Sequence, residues 1–115
     1  MHEIGVLYEV VRSVENIAAQ NKVEKVAAIS LEVGELSGIL PVFLERYYPI
    51  VVENSECLRD SKLLLDVIPG EAICNQCDTS FNVIKNEGYC PNCKSRDKTI
   101  LGGSDFLIKE IVIYE

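Results

Sequence analysis

Four of the five cysteines in this chain stand in two CxxC pairs. Their spacing is Cys74-x2-Cys77-x12-Cys90-x2-Cys93. One CxxC turn points two thiolates at a common centre, and a second turn completes a tetrahedron around zinc with no position open to a substrate. The central gap is shorter than the roughly 15–20 residues of the common four-cysteine pattern. It still allows a short hairpin, TSFNVIKNEGY, between the pairs, so the spacing predicts a structural zinc site.

Other chemistry for these cysteines fits less well. A thioredoxin-type redox pair needs one CxxC at a helix start within a βαβ unit, and segment 71–103 has two pairs and few aliphatic residues. Iron accepts four thiolates as zinc does, and the sequence leaves that alternative open. A nucleic-acid-binding ribbon needs an excess of Lys and Arg, but segment 71–103 carries as many acidic as basic residues. We interpret the fifth cysteine, Cys57, as a small, partly buried hydrophobe.

A second candidate metal site lies at the amino terminus, where the single histidine of the chain, His2, stands between Met1 and Glu3. The terminal amine, the amide nitrogen of His2 and its imidazole can close two fused chelate rings around one metal ion. Three nitrogens in one plane suit the tetragonal preference of Ni(II) and Cu(II). A fourth position stays open for the Glu3 amide, a carboxylate, water or a partner.

The position of this histidine also predicts how the site would behave. A histidine at position 3 would add a fourth nitrogen and hold the metal too tightly for easy release, whereas His2 permits both binding and transfer. The geometry requires that Met1 be neither extended nor removed. The competing interpretation is that a lone histidine near a terminus has no role, and these residues alone leave both interpretations open.

Two helices are expected before the cysteine segment. In the first, apolar residues recur at spacings of three and four, as in an amphipathic helix: Ile4, Leu7, Val10, Val11, Val14, Ile17 and Ala18. Glu3 lies at its positive end, where a carboxylate is favoured. The second begins at Pro41, with an apolar face of Val42, Phe43, Tyr47 and Ile50. Because Pro49 removes a hydrogen bond to Glu45, we expect a kink or split near Tyr48.

Three strands are expected around these helices. VAAISLEVGEL alternates, with Ala27, Ile29, Leu31 and Val33 on one side and Ser30 and Glu32 on the other, and predicts a half-buried strand that ends at Gly34. KLLLDVIPG predicts a buried strand ended by Pro69 and Gly70, and DFLIKEIVIYE a last strand that is apolar on both sides. The order of elements predicts an α+β fold: a small three-stranded sheet with two helices, plus an inserted zinc-ribbon-like module.

Composition limits the classes of partner. A chain of 115 residues corresponds to about one small domain. The net charge of −7 disfavours nucleic acid and anionic membrane as partners, because both are bound chiefly through Lys and Arg. No apolar run approaches the roughly 20 residues that span a bilayer, and the start lacks the basic region of a signal peptide. CxxC pairs with an odd total of cysteines favour a reducing compartment, so we expect a cytoplasmic protein.

Five stretches together resemble the hydrogenase maturation factor HypA family: MHE, LEVGELSGI, VIPGEAICNQC, CPNC and GGSDFLIKEIVIYE. They occur in order over essentially the whole chain. The resemblance implies a nickel metallochaperone with a nickel-binding domain, here residues 1–70 with 104–115, and a zinc-binding domain, here residues 71–103. It places the nickel ligands at Met1 and His2, with Glu3 close by, and the zinc ligands at Cys74, Cys77, Cys90 and Cys93.

The resemblance also implies partners. Members deliver nickel to the large subunit of [NiFe]-hydrogenase together with the GTPase HypB, and in some bacteria they also serve urease. This chain departs from the family at Ile39 and Leu40, where an acidic residue usually precedes the proline, and at Pro49. It has no second histidine as a general base and no glycine-rich phosphate loop, so GTP hydrolysis would belong to the partner.

Two other functions stay open at this point. One is a zinc-ribbon adaptor that binds only protein, with the MHE start incidental, and the other, which fits least well, is an oxidoreductase that uses the cysteines. The oligomeric state is also open, since the sequence is compatible with a monomer and with a swapped homodimer.

Overall fold

The computed structural model describes residues 2–115, with only the backbone of His2, and these residues form two helices and six strands. The helices are α1 (His2–Gln20) and α2 (Pro41–Val52). The strands are β1 (Val26–Gly34), β2 (Lys62–Ile68), β3 (Glu71–Cys74), β4 (Ser80–Asn82), β5 (Lys98–Gly102) and β6 (Phe106–Ile113). Neither helix in this described part is long and apolar enough to cross a membrane.

The first sheet has three strands in the order β2-β1-β6. The central strand β1 runs parallel to β2, with Ile29 opposite Leu63, and antiparallel to β6, with Ile29 opposite Ile111. One apolar core joins both helices to the side chains of Ile29, Leu31 and Val33. The predicted α+β fold, with two helices on a small three-stranded sheet, is therefore confirmed.

Burial of the strands differs from the sequence prediction. Ser30 was expected on a polar side of β1, yet it is only 7% exposed because a strand flanks β1 on each side. β2 was expected to be buried, but it lies at a sheet edge, where Leu64 and Val67 are each 47% exposed. An apolar run indicates a strand, but it does not reveal the position of that strand in the sheet.

Helix α2 differs from the sequence prediction in two respects. Of the kink or split expected near Tyr48, the split is absent, since the helix continues to Val52, three residues beyond Pro49. The proline lacks the N–H that would bond to the carbonyl of Glu45, but the loss of this one hydrogen bond does not end the helix. The expected apolar face was wrong: Val42 and Ile50 are each 58% exposed, and the buried residues are Leu44, Tyr48, Val51 and Val52. The two faces have the same helical spacing and differ by one residue, a rotation of about 100°.

The second sheet has the order β4-β3-β5, and β3 pairs antiparallel with both neighbours. Its buried core is small: Ala72, Cys74, Phe81 and Cys90. The hairpin expected within TSFNVIKNEGY does not form as proposed. Only Ser80–Asn82 is extended, and it pairs back across the first CxxC turn with β3, while turns follow it. The strands that build this sheet thus flank the cysteine pairs and hold them together.

Candidate metal centres

The four predicted zinc ligands come together at one end of the second sheet. One ligand atom from each of Cys74, Cys77, Cys90 and Cys93 lies within 4.8 Å of the others. The Sγ atoms of Cys74 and Cys93 are 3.6 Å apart, as are those of Cys77 and Cys90. Four thiolates about 2.3 Å from a central zinc stand about 3.8 Å apart in a tetrahedron. The donor set and its spacing therefore fit zinc.

Both CxxC segments fold into the same turn. The N–H of Asp78 donates to the carbonyl of Cys74, and the N–H of Lys94 donates to the carbonyl of Cys90, each at 2.9 Å. Asp78 and Lys94 both adopt a positive φ, 62° and 67°, which is uncommon outside glycine. The two turns thus present paired thiols toward each other from opposite sides of the site.

Hydrogen bonds and crowding shift the pKa values of these thiols in opposite directions. The hydroxyl of Thr79, the side-chain amide of Asn92 and the N–H of Thr79 lower the pKa of Cys77 to about 6. The N–H of Ser95 lowers the pKa of Cys93, but partial desolvation of its sulfur and the neighbouring thiols together raise it to about 12. The first of the four thiols to ionise therefore loses its proton easily and the last loses it with difficulty, because negative charge accumulates in a small volume. A bound dication removes that repulsion.

The cluster is enclosed on one side and reaches the surface on the other. Cys74 and Cys90 are completely buried, whereas Cys93 is exposed. Among the residues that the structure describes, this is the one group of three or more His, Cys, Asp or Glu side chains able to share a metal ion. A four-sulfur set leaves no position for a substrate, which is typical of a structural site.

Cys57 lies outside this cluster. It packs, half-buried, against the core between the helices and the first sheet. Burial, and next the nearby carboxylate of Glu15, raise the pKa of its thiol. A thiol in this environment stays protonated, in agreement with its interpretation as a small hydrophobe.

Of the predicted nickel ligands, Met1 and the side chain of His2 lie outside the described residues. Glu3 is only 3% exposed, and its Oε2 accepts a hydrogen bond from the N–H of Leu40 at 3.3 Å. Leu40 is the N-cap residue of α2 and makes no side-chain cap hydrogen bond. Glu3 therefore ties the start of α1 to the start of α2.

Glu35, which sequence reasoning missed, joins the two sheets. Its Oε1 accepts hydrogen bonds from the N–H of Gly70 at 2.8 Å and from the side-chain amide of Asn82 at 3.0 Å. These two bonds, that of Gly70 first, lower the pKa of its carboxyl group. The backbone closes the same junction, since the N–H of Leu36 donates to the carbonyl of Gly103 at 2.7 Å. The sequence signal that could have identified Glu35 is its position directly after Gly34, the glycine that ends β1.

We expect Glu35→Ala to loosen this junction and to speed hydrogen exchange at the Gly70 amide, because its acceptor is lost. Glu35→Gln is the matched variant, since it keeps a carbonyl acceptor without the charge. A glutamate with a lowered folded pKa stabilises the junction above its ordinary pKa of about 4.3 and loses that effect as pH falls through the folded value. Protection of the Gly70 amide from hydrogen exchange should therefore fall in acid in the wild type, and it should not do so in the Gln variant. Equal protection of Gly70 in Ala variant and wild type would contradict the assigned role.

Comparisons with known proteins agree with this architecture. A family model described as "Hydrogenase/urease nickel incorporation, metallochaperone, hypA" matches residues 1–113. The hydrogenase maturation factor HypA of Francisella philomiragia is 34% identical over 97% of this chain and 98% of its own. HypA of Campylobacter jejuni is 30% identical over 98% of this chain and 99% of its own.

The fold also matches a solved structure. The solution structure of the Ni metallochaperone HypA from Helicobacter pylori superposes with a TM-score of 0.68, covering 98% of this chain and 97% of that one. The sequence identity between them is 22%, so this match concerns the fold alone.

Proposed function

The chain belongs to the HypA family of nickel-incorporation metallochaperones for hydrogenase and urease, and on this premise we propose that it binds Ni(II) at its amino terminus and delivers it to a nickel enzyme. The observation that carries the proposal is the family match from residue 1, which includes the MHE start. Nickel is cargo here, and the protein is a carrier rather than an enzyme. The adaptor interpretation differs in assigning no role to His2.

The proposed nickel ligands are the amine of Met1 and the amide and imidazole nitrogens of His2, with Glu3 adjacent. Support comes from the start of α1 at His2. The N–H groups in the first turn of a helix have no carbonyl partner four residues back, so a metal that binds an amide nitrogen there breaks no helical hydrogen bond. A cation at this positive helix end is disfavoured. The buried carboxylate of Glu3 supplies an opposing negative charge next to the site.

We assign Zn(II) to the cysteine cluster as a structural ion. Cys74, Cys77, Cys90 and Cys93 would hold it, and it would cross-link the two CxxC turns. On this assignment residues 71–103 form a zinc-binding domain, and residues 1–70 with 104–115 form the nickel-binding domain. Two separate apolar clusters support this division.

The proposed partners are the GTPase HypB and the large subunit of [NiFe]-hydrogenase, with urease accessory proteins where a urease is served. In this proposal the chain carries the nickel ion, and the GTPase partner hydrolyses GTP. A net charge of −7 supports protein partners over nucleic acid or anionic membrane. We place this function in the cytoplasm, where thiols stay reduced and available to zinc.

The test is calorimetric titration of nickel into zinc-loaded protein whose amino terminus is an untagged Met1. Wild type should bind one nickel per chain, and His2→Ala should bind none while it keeps its zinc, because the variant lacks one of three planar nitrogens. Asn21→Ala, an exposed change directly after the last residue of α1, is the matched control and should bind as wild type. Equal nickel binding by His2→Ala and wild type would favour the adaptor interpretation.

A further inference from the structure

The two CxxC turns have matching backbone hydrogen bonds. The N–H of Cys74 donates to the carbonyl of Thr79 at 2.9 Å in the first turn. The N–H of Cys90 donates to the carbonyl of Ser95 at the same distance in the second turn. The second cysteine of each pair, and the hydroxyl residue that follows it two positions later, therefore occupy equivalent places in the two turns. Any difference between these two cysteines must come from their surroundings.

The second cysteine of the first turn, Cys77, contacts two side-chain donors. Its Sγ lies 3.1 Å from Oγ1 of Thr79 and 3.4 Å from Nδ2 of Asn92. Thr79 follows Cys77 in the same turn, whereas Asn92 reaches across from the second turn. A zinc-bound sulfur carries no proton, so the hydroxyl donates to it as the amide does. Two donated hydrogen bonds therefore stabilise the negative charge on this sulfur.

The equivalent cysteine of the second turn, Cys93, has different surroundings. Its side chain is exposed, whereas that of Cys77 is partly buried. Ser95 stands at the place of Thr79, but its hydroxyl oxygen accepts a hydrogen bond from the N–H of Asp97 at 3.1 Å. In the part of the chain that the structure describes, no hydroxyl or amide side chain donates to the sulfur of Cys93. This sulfur therefore faces solvent without the side-chain donors of its counterpart.

Side chains and exposure, rather than the backbone, distinguish these two sulfurs. Each accepts a hydrogen bond from the N–H of the residue two positions later in the chain. Hydrogen bonds around metal ligands tune their basicity, and the reactivity of a cysteine depends on its thiolate character and its exposure. The other two ligands, Cys74 and Cys90, are completely buried. Cys93 is therefore the ligand best placed to react with a molecule from solvent.

We propose that Cys93 is the reactive thiolate of the cysteine cluster, the one to which a soft carbon electrophile attaches. Thr79 and Asn92 keep Cys77 unreactive. In the reaction the sulfur of Cys93 attacks the electrophilic carbon, a C–S bond forms, and the leaving group departs with the electron pair of the bond that breaks. The product is a neutral thioether, which replaces a thiolate ligand and so weakens zinc binding. This proposal rests on the zinc assignment and is independent of nickel transfer.

Treatment of the zinc-loaded full chain with a limiting amount of iodoacetamide tests this proposal. Zinc content is measured before and after the reaction, and the label in singly modified chains is located by peptide mass spectrometry. Among the four cluster cysteines, Cys93 should carry most of the label, and zinc should be released as the label is incorporated. Equal labelling of Cys77 and Cys93 in zinc-loaded wild type would overturn the proposal.

Two variants remove the donors to Cys77. Thr79→Val removes the hydroxyl at nearly unchanged volume, and Asn92→Ala removes an exposed amide. Each should raise labelling of Cys77 relative to Cys93 roughly tenfold, because a hydrogen bond to a charged sulfur is lost. Thr79→Ser keeps the donor and should be labelled as wild type is. Ser95→Ala is the matched control, since it removes the equivalent hydroxyl of the second turn and should leave the pattern of labelling unchanged.

Zinc content distinguishes failure of this proposal from failure of the zinc assignment. If the two donor variants keep their zinc and are labelled as wild type is, the roles of Thr79 and Asn92 are wrong and the zinc assignment stands. If Thr79→Val loses its zinc, Asn92→Ala decides alone, because its side chain lies at the surface. A wild-type chain that takes up no zinc would overturn the zinc assignment and this proposal together.

Discussion

A Cys90→Ser variant is expected to lose its zinc and the folded structure of residues 71–103, while the first sheet and its helices stay folded. The buried core of this module has only four side chains, and two of them are the ligands Cys74 and Cys90. Burial of a side chain such as Phe81 contributes about 1.5–3 kcal/mol. Zinc binding in comparable small modules contributes about 10–16 kcal/mol, so the proposed zinc ion would dominate the folding free energy of this segment.

The measurements are zinc content and amide chemical-shift dispersion of the full chain. We expect resonances of residues 71–103 to collapse toward unfolded values, and those of α1 and β1 to persist because they share a larger separate core. Cys57→Ser makes the same chemical change outside the cluster and should keep both zinc and fold. Retention of zinc with a dispersed spectrum in Cys90→Ser would contradict the four-thiolate assignment.

One glycine added before Met1 is expected to change nickel exchange strongly. The extension moves the histidine to third place, so that the amine, two amide nitrogens and the imidazole supply four nitrogens in a plane. Square nitrogen coordination is the preference of Ni(II). If the fourth nitrogen contributes about 1.4 kcal/mol, release slows about tenfold. The measurement is the rate at which a chelator removes nickel from zinc-loaded protein.

The same glycine extension on the His2→Ala background is the matched control, and it should bind no nickel. Acetylation of the Met1 amine should also abolish binding, because it removes one of the three nitrogens. Nickel release that is insensitive to the extension and to acetylation would place the ion elsewhere. Slower release after the glycine extension and loss of binding after acetylation would together distinguish a terminal chelate from adventitious binding on the acidic surface.

The two proposed metal centres also differ in how they connect to the fold. The cysteine cluster belongs to a sheet of its own, yet Glu35 ties that sheet to the end of β1 through Gly70 and Asn82. Glu3 ties the amino terminus to the start of α2 through Leu40. Residues 35–40 thus connect the region of the cysteine cluster to the start of α1, although this loop holds none of the proposed metal ligands.

The sequence by itself determined the features that depend on neighbours along the chain. The spacing of Cys74, Cys77, Cys90 and Cys93 predicted a cluster that the structure brings within 4.8 Å. Apolar periodicity predicted α1, and the order of elements predicted a three-stranded sheet with an inserted module. These features follow from local geometry, since a CxxC turn or a helical repeat is specified within a few residues.

Only the tertiary structure decided the features that depend on distant parts of the chain. The buried face of α2 was ambiguous, because two stripes one residue apart have equal helical spacing and packing selects between them. The exposure of β2 and β6 follows from their places at the sheet edges. Glu3 and Glu35 acquired partners 37 and 35 residues away. Strand order and long-range hydrogen bonds arise when the chain crosses itself, and no local pattern records them.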